Sequence, residues 1–171
     1  YGTLEQDAFR RDFSVNSLYF DPVGDRGIID LVEGTRDLEN KIVRSIGPPE
    51  TRIEEDPVRM LRALKLVGRY GFSLEAELKE VIRSKAPQIA AAASGRLLEE
   101  LMKIVSSAHG MATFDTFHRH GLLEHFWPAL ANEWAGERTG PFLRKILEER
   151  DRRIAAGDYS TSKALALGTL A

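Results

Sequence analysis

The sequence contains no cysteine and no apolar run that approaches the roughly 18 residues of a membrane-spanning helix. The absence of cysteine excludes disulfides and thiolate zinc sites, and it is typical of proteins in a reducing compartment. The absence of long apolar runs argues against a membrane protein. We therefore expect a cytoplasmic location.

The sequence also lacks an excess of basic residues, because 24 Lys and Arg residues face 26 Asp and Glu residues, for a formal net charge of −2. Many nucleic-acid-binding domains carry a clear positive charge. The charge balance therefore argues against a free-standing RNA-binding module. Hydrophobic residues make up 43% of the chain and charged residues 29%, which is typical of a globular fold.

The first quarter of the chain predicts a mixture of helix and strand. Helix-forming residues extend from about residue 5 to residue 18, and two short strands surround the turn-forming segment 21–25. A short helix near 36–40 and a strand near 42–46 follow. Gly47-Pro48-Pro49 favours a boundary or hinge, because glycine and proline interrupt regular structure.

The remainder of the chain predicts helices. Asp56 and Pro57 form a helix-start pair, since an aspartate caps the first turn and a proline is tolerated at the first helical position. Gly71 is a typical helix stop. Further helices are predicted near residues 75–85, 95–107, 111–120 and 142–156. The predicted fold class is therefore mainly α, with a small α+β part at the N-terminus.

The segment 54–65, Glu-Glu-Asp-Pro-Val-Arg-Met-Leu-Arg-Ala-Leu-Lys, combines carboxylates with a row of cations. The plain interpretation is that Asp56 only caps the helix and that Arg59, Arg62 and Lys65 form a solvated face. The alternative is that Asp56 and Arg59, one turn apart, read the edge of a nucleobase. A carboxylate accepts from the amino group of adenine or cytosine, and a guanidinium donates to the neighbouring ring nitrogen or carbonyl oxygen. Arg62 and Lys65 continue the row and suit phosphates.

The segment 10–18, Arg-Arg-Asp-Phe-Ser-Val-Asn-Ser-Leu, also has two interpretations. Its charges are either an exposed ion pair that contributes little free energy or a nucleotide contact. In the second case Arg11 binds a triphosphate, Asp12 accepts from a ribose hydroxyl, and Asn16 faces the same way one helical turn later. The four histidines of the chain are spaced poorly for one metal site, and no cysteine assists them.

Together, the two segments resemble the class II tRNA nucleotidyltransferase and poly(A) polymerase family. The order of the two motifs and the interval of about forty residues between them are similar to the family pattern. Residues 28–34, Ile-Ile-Asp-Leu-Val-Glu-Gly, and 46–52, Ile-Gly-Pro-Pro-Glu-Thr-Arg, also resemble it. The resemblance extends to about residue 128, and segments 1–8 and 109–114 are more similar to the bacterial poly(A) polymerase branch.

The resemblance implies an organisation in three parts. Residues 1–47 correspond to the end of a nucleotidyltransferase head domain. Residues 48–107 correspond to a neck that contains the nucleotide-reading helix. Residues 108–171 correspond to a truncated helical body that binds RNA.

The resemblance also implies roles for individual residues. The family reads the incoming base at the positions of Asp56 and Arg59, and it contacts ribose and phosphate at those of Arg11 and Asp12. Lys65 stands where the family usually has a third arginine, so the bidentate contact of a guanidinium is lost there. The Gly-Gly motif and the Asp-x-Asp pair with which the family holds two magnesium ions are missing. We therefore expect a piece of a longer enzyme that is inactive alone.

The implied function of the longer protein is template-independent transfer of AMP from ATP to an RNA 3′ end, with magnesium as cofactor and mRNA or tRNA as the RNA partner. One alternative is CCA addition to tRNA, because ATP and CTP present the same pattern to Asp56 and Arg59. The oligomeric state is left open. An alternative of another class is a non-catalytic helical RNA-binding module that retains the nucleotide pocket.

Overall fold

A computed structural model describes residues 2–158 of the chain, so residues 159–171, the end of the predicted body, lie outside the described part. The elements up to residue 55 are α1 (Leu4–Arg10), β1 (Leu18–Asp21), β2 (Gly27–Asp30), α2 (Gly34–Asn40), β3 (Ile42–Val43) and α3 (Pro49–Glu55). The later elements are α4 (Val58–Tyr70), β4 (Ser73–Leu74), α5 (Ala76–Lys85), α6 (Ser94–Val105), α7 (Gly110–Arg119), α8 (Leu123–Phe126), α9 (Pro128–Ala135) and α10 (Thr139–Ala155). Short 3₁₀ helices span Ser14–Asn16 and Ala86–Ala91. The predicted fold class, mainly α with a small α+β start, is confirmed.

Strands β1 and β2 form an antiparallel hairpin in which Tyr19 lies opposite Ile29, as predicted for the two strands around the turn. The carboxylate of Asp21 accepts from the backbone N–H groups of Val23 and Gly24, at 3.1 and 2.8 Å. This side-chain contact stabilises the start of the turn. Within residues 2–158, no helix is both long enough and apolar enough to cross a membrane.

Helix α1 ends at Arg10, so the prediction of a longer helix is wrong beyond that residue. Phe13 is extended and forms an isolated bridge with Ser45. The hydroxyl of Ser14 donates to the buried carboxylate of Asp37 at 2.6 Å. These contacts join residues distant in sequence, and they stabilise an extended segment where local propensity favours a helix.

Helix α4 lies at the centre of the core. It ends at Gly71, whose φ of +67° is the left-handed conformation of a helix stop, as predicted. The fully buried residues of α4 are Val58, Met60, Leu61, Ala63 and Leu64. Met60, Leu61, Ala63 and Leu64 belong to one core cluster with residues of α5, α6 and α7. A Cβ on Gly68 would lie 2.6 Å from Cα of Thr113, so α4 and α7 approach each other backbone to backbone.

A short parallel pair, β3 with β4, joins the first part of the chain to the residues that follow α4. The N–H of Ser73 donates to the carbonyl of Lys41 at 2.7 Å, and that of Glu75 donates to the carbonyl of Val43 at 3.0 Å. The sequence analysis did not predict β4. The domain boundary near residue 47 stays a prediction. The hydrogen bonds between β3 and β4 connect the segments on its two sides.

Candidate functional site

Asp56 lies between α3 and α4 with an extended backbone, φ −151° and ψ 94°. Its Oδ1 accepts from the backbone N–H of Val58 at 3.2 Å, as in a helix-capping aspartate, but α4 begins at Val58 with Pro57 at the N-cap position, one residue later than predicted. Its Oδ2 accepts from Nη1 of Arg96 in α6 at 3.0 Å and lies 4.0 Å from Nη1 of Arg62. Both oxygens therefore have protein partners, and the residue is 9% exposed.

Asp12 joins the first part of the chain to helix α4. Its Oδ1 accepts from Nε of Arg59 at 2.8 Å, and its Oδ2 accepts from Nη1 of Arg62 at 2.8 Å. Its backbone carbonyl accepts from the N–H of Ile46 at 3.2 Å, which holds the extended segment in place. Burial alone would raise the pKa of Asp12, but the hydrogen bonds from Arg62 and Arg59 lower that pKa below its usual value. The carboxylate is therefore charged at neutral pH.

Arg59 is surrounded by acceptors. Besides Asp12, its Nη1 contacts Oε2 of Glu55 at 2.9 Å and the carbonyl oxygen of Arg52. Burial opposes the charged form of Arg59, but these acceptors raise the pKa overall, so the guanidinium stays charged. Arg59 faces the segment that carries Arg11 and Asp12 rather than bulk solvent. This orientation is a geometric condition for base reading, and the role itself stays a prediction.

Glu100 of α6 is a buried carboxylate, 3% exposed, that the sequence analysis missed. It accepts from Nε of Arg62 at 3.2 Å, from Nζ of Lys65 at 2.8 Å and from Nζ of Lys103 at 2.8 Å. Burial alone would raise the pKa of Glu100, but these cations lower that pKa to about 2. Glu100 thus holds two of the predicted phosphate-binding side chains in place.

The position of Glu100 could be predicted in part from the sequence, but its partners could not. Glu100 lies three residues after Leu97 and four before Ile104, so it borders the apolar stripe of α6. A buried carboxylate at such a position needs cationic partners. Those from α4 are 35 and 38 residues distant in sequence, too far for helical spacing to indicate them. We call the following six residues the charge cluster: Asp12, Asp56, Arg59, Arg62, Lys65 and Glu100.

Two predicted site residues lie outside the charge cluster. Arg11 pairs with Asp7 at 2.8 Å and lies over the ring of Tyr19. Asn16 is exposed and lines a shallow cavity with Leu66 and other apolar residues. The expectation that Asn16 lies one helical turn after Asp12 is wrong, because the chain between them is not an α-helix.

Within residues 2–158, no group of three or more histidine, aspartate or glutamate side chains is arranged to hold a metal ion. The carboxylate of Asp12 is occupied by two guanidinium groups. Asp7 accepts from Arg11 at 2.8 Å and from the hydroxyl of Tyr19 at 2.7 Å. These carboxylates do not fit a magnesium pair, whose carboxylate ligands must be free to bind the ions.

Two protein-family models match the chain. The poly(A) polymerase head domain matches residues 1–44, and the probable RNA and SrmB-binding site of polymerase A matches residues 71–133. Poly(A) polymerase I from Haemophilus influenzae is 38% identical over 159 residues, which cover 91% of this chain and 35% of that protein. A CCA-adding enzyme from Geobacillus thermodenitrificans is 33% identical over 155 residues, which cover 90% of this chain and 37% of that protein.

A solved structure of a tRNA nucleotidyltransferase, complexed with a primer tRNA and an incoming ATP analog, has the same fold. The match has a TM-score of 0.75 at 23% identity and covers 99% of this chain and 50% of the other. This chain spans about a third of the length of the curated relatives it matches. The two family matches and relatives of both kinds show that the chain belongs to the family of poly(A) polymerases and tRNA nucleotidyltransferases.

Proposed function

We propose that the full-length protein is a template-independent RNA nucleotidyltransferase that adds AMP from ATP to RNA 3′ ends. The poly(A) polymerase relative supports this choice, since it is 38% identical where the CCA-adding relative is 33% identical. The structural observation that carries the proposal is the charge cluster. There, Asp12 meets Arg59 and Arg62 of α4, beside Asp56.

In this proposal Asp56 and Arg59 read the base by exchanging their more exposed partners. The side chain of Arg96, which holds Oδ2 of Asp56, is 61% exposed. Because the Arg96 guanidinium regains water when it leaves the largely buried Asp56, the amino group of adenine can replace Arg96 at Oδ2. Oδ1 keeps its bond to Val58 and so stays in place. Likewise, the half-exposed Glu55 is the partner that Arg59 releases to donate to a ring nitrogen.

Ribose and phosphate contacts fall to the remaining predicted residues. Arg62 and Lys65 are partly exposed while Glu100 holds them, so a triphosphate can approach cations whose directions are already set. Asp12 is oriented for a ribose hydroxyl by its two arginine partners. Arg11 and its partner Asp7 are both about half exposed, so Arg11 can turn towards a triphosphate. Among the proposed contacts, that of Asn16 has the least support, since Asn16 lines a separate cavity with Leu66 and other apolar residues.

Magnesium is the proposed cofactor of the full-length protein, bound by carboxylates outside residues 1–171. In nucleotidyl transfer such ions activate the attacking hydroxyl and stabilise the leaving pyrophosphate. The described carboxylates do not fit this role, so the proposed contribution of this chain is to select and orient the nucleotide and to hold the RNA. The proposed RNA is an mRNA or a tRNA, and the proposed location is the cytoplasm.

CCA addition to tRNA is the second candidate function. It is favoured by the CCA-adding relative, whose match covers 90% of the chain. It is also compatible with the same base-reading pair, because cytosine and adenine both present an amino group beside an acceptor. A non-catalytic RNA-binding module is the candidate of another class.

Nucleotide choice by the full-length protein separates these candidates. We expect kcat/KM to be highest for ATP on an oligo(A) primer, among the four ribonucleotides. Efficient use of CTP on a tRNA that lacks its 3′ CCA would instead identify CCA addition. No incorporation of any nucleotide, with magnesium present, would leave only the RNA-binding module.

Two substitutions test the assignment of the base-reading pair. Asp56→Asn keeps the size and most of the capping ability of the side chain, but its amide also donates. We expect the preference for ATP over GTP and UTP to narrow, with little change in melting temperature. Arg59→Ala should cost roughly 1–3 kcal/mol of discrimination, the scale of a good bidentate base contact.

Arg96→Ala is the matched control. It removes the arginine that donates to Oδ2 of Asp56, but it removes no proposed base contact. We expect it to leave nucleotide preference intact. Unchanged preference in both Asp56→Asn and Arg59→Ala would reduce Asp56 to a helix cap.

A further inference from the structure

A second concave surface lies where α5 passes the C-terminal end of α7. It has a volume of about 500 Å³ and is lined by Lys79, Arg83, Arg119, His120 and Gly121. Four of these five residues are basic. We call this surface the basic concavity. The proposed nucleotide site uses none of its residues.

We propose that the basic concavity binds backbone phosphates of an RNA strand. The naming of RNA as the source of the phosphates rests on the proposed function. The case for an anion site rests on charge and hydrogen bonding alone.

The basic side chains at the end of α7 are not needed to close that helix. Gly121 has a φ of +69° and donates to the carbonyl of His118 at 3.0 Å, and Leu122 donates to that of Phe117 at 2.9 Å. These are the two backbone bonds of a Schellman motif. Because the backbone itself satisfies these terminal carbonyls, Arg119 and His120 are not used as caps and stay available to a ligand.

Carboxylates neutralise only part of the positive charge around the basic concavity. Arg83 pairs with Glu80, and Nε of Arg119 pairs with Asp115 at 3.0 Å. Both arginine side chains are well exposed, so these pairs contribute little free energy and exchange readily. Within residues 2–158, the ammonium group of Lys79 has no hydrogen bond or ion pair. The surface therefore keeps a surplus of positive charge that an anion would satisfy.

His120 responds to this crowding of cations. Burial and repulsion from Arg119 and Lys79 lower the pKa of His120 below its usual value. The imidazole is therefore mostly neutral at pH 7. A phosphate bound among these side chains would favour the protonated ring and raise that pKa, so His120 is a direct reporter of anion binding.

The arrangement of the cations suits a chain of phosphates better than one small anion. Lys79 and Arg83 lie one turn apart on α5, while Arg119 and His120 lie at the end of α7. Cations spread over two helices can contact successive phosphates along a strand. All four residues lie within 71–133, the segment that matches the probable RNA-binding site of polymerase A.

The first test is the salt dependence of RNA binding by the full-length protein. The probe is an oligo(A) RNA of 15 nucleotides, and the variant carries both Lys79→Gln and Arg83→Gln. Each lost phosphate contact lowers the slope of log K against log salt by about 0.7 for single strands, so we expect a decrease of about 1.4 and weaker binding at low salt. The control is Arg36→Gln, since Arg36 and Glu33 form an exposed pair with the same three-residue spacing as Arg83 and Glu80.

The second test follows the imidazole proton signal of His120 by NMR, assigned with a His120→Asn variant. We expect saturating oligo(A) to raise the pKa of His120 and inorganic phosphate at the same phosphate concentration to raise it far less. An unchanged pKa, or a variant whose salt slope equals that of the Arg36→Gln control, would overturn the proposal. An equal response to inorganic phosphate would overturn the assignment to RNA.

These results are independent of nucleotide choice. If the full-length protein does not incorporate AMP from ATP, the proposed function is contradicted, but the RNA-binding measurements can still be interpreted. Retained incorporation with an unchanged salt slope would contradict this inference alone.

Discussion

The charge cluster and the basic concavity are built from the same kinds of side chain in opposite surroundings. In the charge cluster, Asp12 and Glu100 each accept from at least two cations, and Glu100 is almost completely buried. In the basic concavity, the cations are exposed and Lys79 has no carboxylate partner in the described part of the chain.

The difference follows from the cost of burial. A buried charge needs partners inside the fold, so the charge cluster has to be close to internally balanced. An exposed cation is solvated by water and tolerates a missing partner, so the basic concavity can keep a surplus for a ligand. Substitutions of Asp12 and Glu100, which each bind at least two cations, should therefore affect stability, and those in the basic concavity should affect binding.

The largest expected effect is that of Glu100→Ala. The substitution leaves Lys65 and Lys103 without their carboxylate and removes one partner of Arg62. Breaking a buried pair costs about 3–5 kcal/mol, and we expect about 3 kcal/mol because Lys103 is exposed enough to be solvated by water. The measurement is urea denaturation followed by tryptophan fluorescence. Glu99→Ala, an exposed position on the same helix, is the control and should change stability by less than about 0.5 kcal/mol.

The pH dependence of stability tests the same contact. The pKa of Glu100 is lowered from 4.5 to about 2 in the folded protein. Its contribution to stability is therefore fully present above pH 4.5 and is lost as the pH falls towards 2. The Glu100→Gln variant should lose less unfolding free energy over that interval than the wild type. If the unfolding free energies of Glu100→Gln and the wild type decrease equally over that pH interval, Glu100 does not carry this charge interaction.

A smaller effect is expected for Asp12→Asn, which weakens the connection between the first part of the chain and α4. Hydrogen bonds to charged groups contribute about 1.5–3 kcal/mol. We expect a loss at the lower end of this range, because Arg59 keeps Glu55 and Arg62 keeps Glu100. Thermal denaturation should show this loss of stability for Asp12→Asn. The control is Asp7→Asn, whose ion pair with Arg11 is exposed. An equal loss in both variants would contradict the idea that burial makes the Asp12 contacts more stabilising.

The smallest expected effect on stability is that of Lys79→Gln in the basic concavity. Because its ammonium group repels His120 and has no carboxylate partner in the described residues, its removal should change the unfolding free energy by less than about 0.5 kcal/mol. The same substitution should raise the pKa of His120 in the absence of RNA, which an NMR titration measures. A marked loss of stability would show that Lys79 has a structural role.

The features that could be predicted from sequence are those with local causes. The start of α4 follows from Asp56 and Pro57, and its end follows from Gly71, because caps and stops act within a turn. The β1–β2 hairpin follows from turn-forming residues between short apolar runs. The side chain of Arg59 points towards Asp12. This orientation agrees with the family resemblance, which places both residues around one nucleotide.

The features that were missed depend on contacts between distant residues. The segment after Arg10 leaves the helix because Ser14 bonds to Asp37 and Phe13 bridges Ser45. No helical period of the sequence indicates these pairs. Glu100 and Arg96 reach the charge cluster only because α6 packs beside α4, and β4 exists only because β3 lies next to it.

The backbone contact at Gly68 bears on the spacing of the two proposed binding sites. Because a Cβ there would meet the backbone of α7, the two helices have no layer of side chains between them at this point and little freedom to slide. The start of α4, where we propose that the nucleotide base is read, and the basic concavity at the end of α7 are therefore held at a fixed separation. On our proposals, this separation defines a minimum substrate length, below which an RNA occupies one of the two sites but cannot bridge them.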